Sequence, residues 1–296
     1  MMPNVPLTYF CDFDFCADQL ARRYFMQSFA ELGAKHIVLS DMLIKLFFQD
    51  VRFIAQMQRD IAELGLDFVD AHAPFGPLLD LSCPDMNYRR YLVAGGIHAL
   101  EMCAMFGVET ITFHTGNMGE IPVPEGATVE TYVDNACKSL DALLPKAEEL
   151  GIIICLENIW FPNNTPECLL KIMERFPTDA LGLCYDSGHA NLMSTKKQDN
   201  DDNAANRAFA NVGLPRHHDD QILEKMLPHV VSCHLHDNNA VIDNHFTPGH
   251  GNIDWTHVIG LLQQAPRLKS IQSEVLPIAR RESLAGIVSA FQKLLG

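Results

Sequence analysis

The run Ile152-Ile153-Ile154-Cys155-Leu156-Glu157-Asn158 decides the fold. It is a short apolar stretch rich in β-branched residues, it follows Gly151, and it stops at a carboxylate. Runs of this length bounded by turn residues read as buried parallel strands. The same form recurs on both sides, giving strands near Leu7–Cys11, His36–Leu39, Asp67–His72, Thr110–His114, Ile152–Glu157, Leu181–Asp186, Val230–His236 and Ser270–Val275. Between them, apolar residues return at helical spacing near Asp18–Leu32, Val51–Leu64, Tyr88–Phe106, Val129–Leu150, Pro166–Arg175, Asp219–Leu227, Trp255–Gln264 and Ser283–Leu294. Gly33, Gly65, Gly107 and Gly151 stand where left-handed helix caps belong. Eight strand–helix alternations in 296 residues predict an α/β fold, a single (β/α)8 barrel over residues 1–296. An open doubly wound sheet more often carries a glycine-rich phosphate loop after its first strand, and none is present.

Composition narrows the function. Apolar residues make up 48% of the chain, enough for a full core. With 37 acidic against 22 basic residues the net charge is −15, which repels polyanions, so nucleic acid and anionic membranes are disfavoured partners. No apolar run is long enough to span a bilayer, and Met1 to Tyr9 lacks the features of a signal peptide. Nine scattered cysteines without a CxxC pair fit reduced thiols, hence a cytoplasmic protein. The polar stretch 194–218 follows strand six and is expected to hang over the barrel mouth, as a mobile lid or a solvated loop.

The strand ends carry the chemistry. His72, His114, Glu157, Asp186 and Glu274 close strands three, four, five, six and eight. His234 lies in strand seven, His189 follows Asp186, and Asp243 and His245 follow strand seven. Six consecutive strands thus deliver imidazoles or carboxylates to the C-terminal mouth, where such barrels build their sites. The unpaired carboxylates among these nine groups would repel one another and resist desolvation without a cation. The mixed nitrogen and oxygen set therefore predicts a divalent metal, with Zn²⁺ and Mn²⁺ the best matches and one to three ions accommodated. Cys155 and Cys184, two residues below Glu157 and Asp186, are expected to point inward as packing residues, and Cys233 outward to the helices. Trp160 and Phe75 read as substrate walls. His236 reads as a substrate contact or as an aid to His234.

From about Leu7 to Leu294 the chain resembles the xylose isomerase-like barrels, a superfamily of sugar (phosphate) isomerases and epimerases, inosose dehydratases and endonuclease IV. The resemblance rests on Leu156-Glu157-Asn158, Asp186-Ser187-Gly188-His189, His234-Leu235-His236-Asp237 with Asp243-Asn244-His245, and Gly249-His250-Gly251-Asn252-Ile253-Asp254-Trp255. Similarity to the ketose 3-epimerases implies one metal on Glu157, Asp186, His234 and Glu274. The two glutamates would then be the catalytic acid/base pair, with His189 on substrate oxygens. Similarity to endonuclease IV implies further metals on His72, His114, His189, Asp243 and His245. The resemblance thus implies a metal-dependent sugar or sugar-phosphate isomerase or epimerase working through a metal-stabilised enediolate. A multi-metal phosphoester hydrolase and a dehydratase or lyase are the alternatives. The partner expected is a small carbohydrate; a homo-oligomer is left open.

Overall fold

The computed structural model describes residues 5–194 and 202–296. Eight parallel strands close into a barrel in sequence order: β1 (Leu7–Tyr9), β2 (His36–Leu39), β3 (Asp67–His72), β4 (Thr110–Phe113), β5 (Ile153–Glu157), β6 (Leu181–Asp186), β7 (Val230–Leu235) and β8 (Ser270–Ser273). Closure is made by β1 on β8, with Thr8 opposite Gln272. Each strand lies within two residues of its expected bounds. The expected glycine caps are also there: Gly65, Gly107 and Gly151 sit in the left-handed conformation at helix C-termini.

The alternation of side chains separates two layers. Outward residues such as Ile154, Leu156, Leu183, Tyr185, Cys233 and Leu235 join the main core beneath the helices. Inside the barrel, polar residues such as Glu157, Asp186 and His234 stand above a small apolar patch. Cys155 and Cys184 form a separate buried pair with Val231, below Glu157 and Asp186 as expected. All nine cysteines are free thiols. No helix among the described residues is long and apolar enough to cross a membrane.

Four helices depart from the expected pattern. The chain forms Asp41–Gln49 directly after β2, capped by Ser40, and Ser187–Leu192 directly after β6, capped by Asp186. Pro277–Arg280 follows β8. The fourth lies within the stretch 194–218. Residues 195–201 lie outside the described residues; beyond them the chain forms the helix Ala204–Asn211, packed through Ala205, Ala208 and Phe209. Asn203 anchors its start by donating to the carbonyls of Leu192 and Ala240. Small residues spaced for a short helix are hidden in sequence by the surrounding polar run.

The segment after β7 is held by one carboxylate. Asp237, fully buried, accepts from the N–H groups of Gly249, Ile253 and Asn238 and from the Trp255 indole. Backbone bonds from Asp237 to Phe246 and from Phe246 back to Asp237 complete the lock. Gly251 is required here: a Cβ would lie 2.2 Å from both Asp237 Oδ1 and the Asn238 carbonyl. The Gly-His-Gly-Asn-Ile-Asp-Trp signature is thus a fold element that delivers Asp243 and His245, and Asp254 caps the next helix as expected. Asp237→Asn turns an amide donor toward these N–H groups. It should cost about 3 kcal/mol or more, read as a lowered Tm; an unchanged Tm contradicts the lock.

Candidate metal centre and substrate cavity

Glu157, at the end of β5, is the hub. Its Oε2 lies 3.0 Å from His114 Nε2 and 3.6 Å from His72 Nε2, and its Oε1 lies 3.2 Å from His234 Nδ1. His234 Nδ1 is also 3.3 Å from Glu274 Oε1, so one imidazole stands between the two glutamates. On the far side, Asp186 Oδ2 is 3.1 Å from His236 Nε2. His189 Nε2 is 3.4 Å and His245 Nε2 2.7 Å from Asp243 Oδ2. All nine residues expected from the strand ends are gathered in one place.

The rings are oriented by the fold. His72 Nδ1 meets the Ala73 carbonyl at 2.9 Å, His189 Nδ1 the Asn158 carbonyl at 2.8 Å, and His245 Nδ1 the Glu274 carbonyl at 2.8 Å. An N–H donated to a backbone carbonyl fixes the tautomer and leaves the opposite nitrogen with a free lone pair, the arrangement of metal-binding histidines. His234 is turned the other way, its Nε2 against Thr112 Oγ1 at 3.3 Å.

The electrostatics fit a cation. Four carboxylates, Glu157, Asp186, Asp243 and Glu274, meet in a region that water scarcely reaches. Burial, reinforced by Glu157 and Asp186, pushes Glu274 well above the usual carboxylate range. Burial also opposes ionisation of Glu157, but His234, His114 and His72 outweigh it and hold that group well below its usual range. For His189 burial disfavours the charged ring, yet Asp186 and then Asp243 lift it to about 10. Glu157 Oε2, Asp243 Oδ1 and one nitrogen each of His114 and His236 are buried without a hydrogen-bond partner. Donor atoms lie within 4.8 Å of one another in the sets His72–Glu157–His234, Glu157–Asp186–His234–Glu274, Asp186–His189–His236 and His236–His245–Glu274. A hard or borderline divalent ion suits this chemistry, and the orphaned carboxylate oxygens, Glu157 Oε2 and Asp243 Oδ1, are where it would be accepted.

Above the donors opens a cavity of about 480 Å³, walled by Phe10, Phe15, Phe75, Trp160 and Phe161. Phe75 and Trp160 line it as expected. The Phe75 ring is 4.6 Å from that of His114, and the Trp160 ring meets His189 edge-on at 4.8 Å. His236 differs from its expected place as a substrate contact. It is fully buried, absent from the cavity wall, and stacked at 4.0 Å on His245 beside Asp186. Its position two residues beyond His234 on one strand face was the available signal. Gly188 makes room for it, since a Cβ there would sit 2.0 Å from the His236 ring.

Residues 27–269 match the model of the xylose isomerase-like TIM barrel family. The chain belongs to that family. Among curated relatives, it is 30% identical over 201 residues to an uncharacterized protein of Methanocaldococcus jannaschii, a match spanning 65% of this chain and 59% of that protein. Of solved structures, a D-tagatose 3-epimerase-like protein superposes with a TM-score of 0.72 at 21% identity, over 98% of this chain and 95% of that one. D-psicose 3-epimerase from Clostridium cellulolyticum H10, solved with D-tagatose, gives 0.69 at 14% identity, over 98% and 99%. At these identities the superpositions speak for the shared barrel.

One wall of this xylose isomerase-like barrel is pH-sensitive. Buried Asp80 accepts from the Gly76 N–H next to Phe75, and its other oxygen has no partner. Burial raises its carboxyl from 3.8 to about 7, opposed by the Gly76 N–H and helped by Glu120. A carboxyl whose folded pKa exceeds its unfolded one contributes stability below about pH 4 that is lost as the pH rises to about 7. Asp80→Asn should therefore match the wild type near pH 4. At pH 8 it should be more stable by up to about 4 kcal/mol in urea denaturation; equal stability at pH 8 contradicts this.

Proposed function

We propose that residues 1–296 act as one barrel domain, a divalent-metal-dependent sugar isomerase or epimerase. The carrying observation is the placement of two glutamates about one imidazole. Glu157 Oε1 and Glu274 Oε1 lie 3.2 and 3.3 Å from His234 Nδ1, and both residues border the aromatic cavity. Glu157, Asp186, His234 and Glu274 would hold one ion, Zn²⁺ or Mn²⁺. His72, His114, His189, Asp243 and His245 supply donors for up to two more. When bound there, such an ion polarises a carbonyl and offsets negative charge developing on its oxygen.

The residues do the rest. Isomerisation or epimerisation removes a weakly acidic proton from carbon next to a carbonyl and returns it to another atom or face. One glutamate accepts that proton and the other returns it, as two carboxylates on opposite sides of a bound substrate can. With a single ion bound, His189 is left to contact substrate oxygens, while Trp160 and Phe75 pack on the apolar face of the sugar and exclude water. Nine free thiols accord with work in a reducing cytoplasm.

A second reading, phosphoester hydrolysis, draws on the donors beyond the first four, which fit several ions. The cavity wall speaks against it, being aromatic and acidic, with Asp14, Asp41 and Glu120 among its residues.

The test is C–H to C–D exchange into D-tagatose and D-fructose in D2O with metal-loaded protein. Glu157→Gln and Glu274→Gln should each slow exchange by about 10²–10⁴-fold, the range of acid/base contributions. Wild-type exchange rates in either variant would refute the assignment.

A further inference from the structure

Asn158 closes the Leu156-Glu157-Asn158 signature one residue beyond β5, and it is buried. Its backbone N–H donates to the Cys184 carbonyl at 3.4 Å, next to the Glu157–Cys184 pair of β5 and β6. A further rung of this parallel ladder would need a backbone acceptor and a backbone donor for the N–H and C=O of Asp186. The Asn158 side chain supplies both. Its Oδ1 accepts from the Asp186 N–H at 2.8 Å, and its Nδ2 donates to the Asp186 carbonyl at 3.0 Å. One side-chain amide thus stands in for a peptide unit of β5.

That substitution releases the main chain. The Asn158 carbonyl meets His189 Nδ1 at 2.8 Å instead of pairing with β6. The next three residues, Ile159, Trp160 and Phe161, leave the sheet and enter the cavity wall. Asp186 in turn accepts the His189 N–H on its Oδ1 at 2.6 Å. Asp186, held by its backbone, and His189, held by its ring, therefore share one frame whose common member is Asn158. Residue type decides this: leucine matches the volume without donor or acceptor, and an ionised aspartate has no donor.

We propose that Asn158 is a positioning residue of the metal centre, whose side-chain amide fixes Asp186 and, through the turn it permits, His189. Groups that orient metal ligands in this way set affinity without touching the ion. That Asp186 serves an ion rests on the metal-dependent reading of the site. The frame itself does not depend on which reaction the centre performs.

The experiment titrates Co²⁺ into chelator-stripped wild type, Asn158→Ala and Asn158→Leu, well below the Tm of each, and follows visible absorption. Alanine leaves room for water at the Asp186 peptide groups, and leucine keeps the volume; should leucine prevent folding, the alanine variant carries the test. Asn203→Ala is the control, since Asn203 is also buried and donates to two carbonyls, those of Leu192 and Ala240. Each Asn158 variant should raise the Co²⁺ Kd about 10–100-fold and change the ligand-field spectrum. Asn203→Ala should lower Tm with Kd within about threefold of wild type. Unchanged Kd and spectrum in the Asn158 variants, or an equal shift in the control, overturns the role of Asn158. Wild type that binds no Co²⁺ overturns it together with the metal-dependent reading. Weakened Co²⁺ binding in the variants, with no deuterium exchange into sugars by metal-loaded wild type, supports the role of Asn158 and sinks the isomerase reading alone.

Discussion

Crowding of like charge is the constraint on which the molecule turns. Glu157, Asp186, Asp243 and Glu274 arrive from β5, β6, the segment after β7 and the end of β8, and share a space nearly closed to water. Carboxylates so placed repel one another and lose hydration. The protein meets part of this with imidazoles, which pull Glu157 and Asp243 down. It does not meet all of it, and Glu274 remains pushed upward by its neighbours. Ordinary packing would not preserve such an arrangement. Backbone carbonyls that hold three of the rings with a lone pair toward the carboxylates, and an Asp237 lock that brings in Asp243 and His245, keep the groups in place.

Much of this is legible along the chain because a parallel barrel converts sequence position into spatial position. A residue closing any strand comes to the same rim, so His72, His114, Glu157, Asp186 and Glu274 could be assigned to one site without knowing a single distance. The bounds of β2, β3 and β6 follow from apolar runs ending in polar groups. Other features depend on tertiary contacts that periodicity does not carry. The helix Ala204–Asn211 is hidden in a polar stretch, because its packing comes from two alanines and one phenylalanine. The lock on Asp237 is invisible in one dimension, since its partners lie 12, 16 and 18 residues away at a spacing set by the turn. His236 was legible as a polar residue at a strand end, but which way its ring nitrogens face is decided only by the fold.

Floor and rim of the cavity divide the work. The floor concentrates buried carboxylates and imidazoles; the rim is built of Phe10, Phe15, Phe75, Trp160 and Phe161 with carboxylates between them. The division suits a family in which one barrel serves many substrates, because the rim lies in loops that change without disturbing the strands.

The central claim is that the buried carboxylates and imidazoles are held for a divalent cation, and metal-linked stability tests it most directly. Protein purified without chelator should contain at least about one equivalent of divalent metal. Removing it should lower Tm, and adding Zn²⁺ or Mn²⁺ at about 100 times Kd should restore about 5 °C or more. Metal-free protein whose Tm is indifferent to either ion would contradict the account.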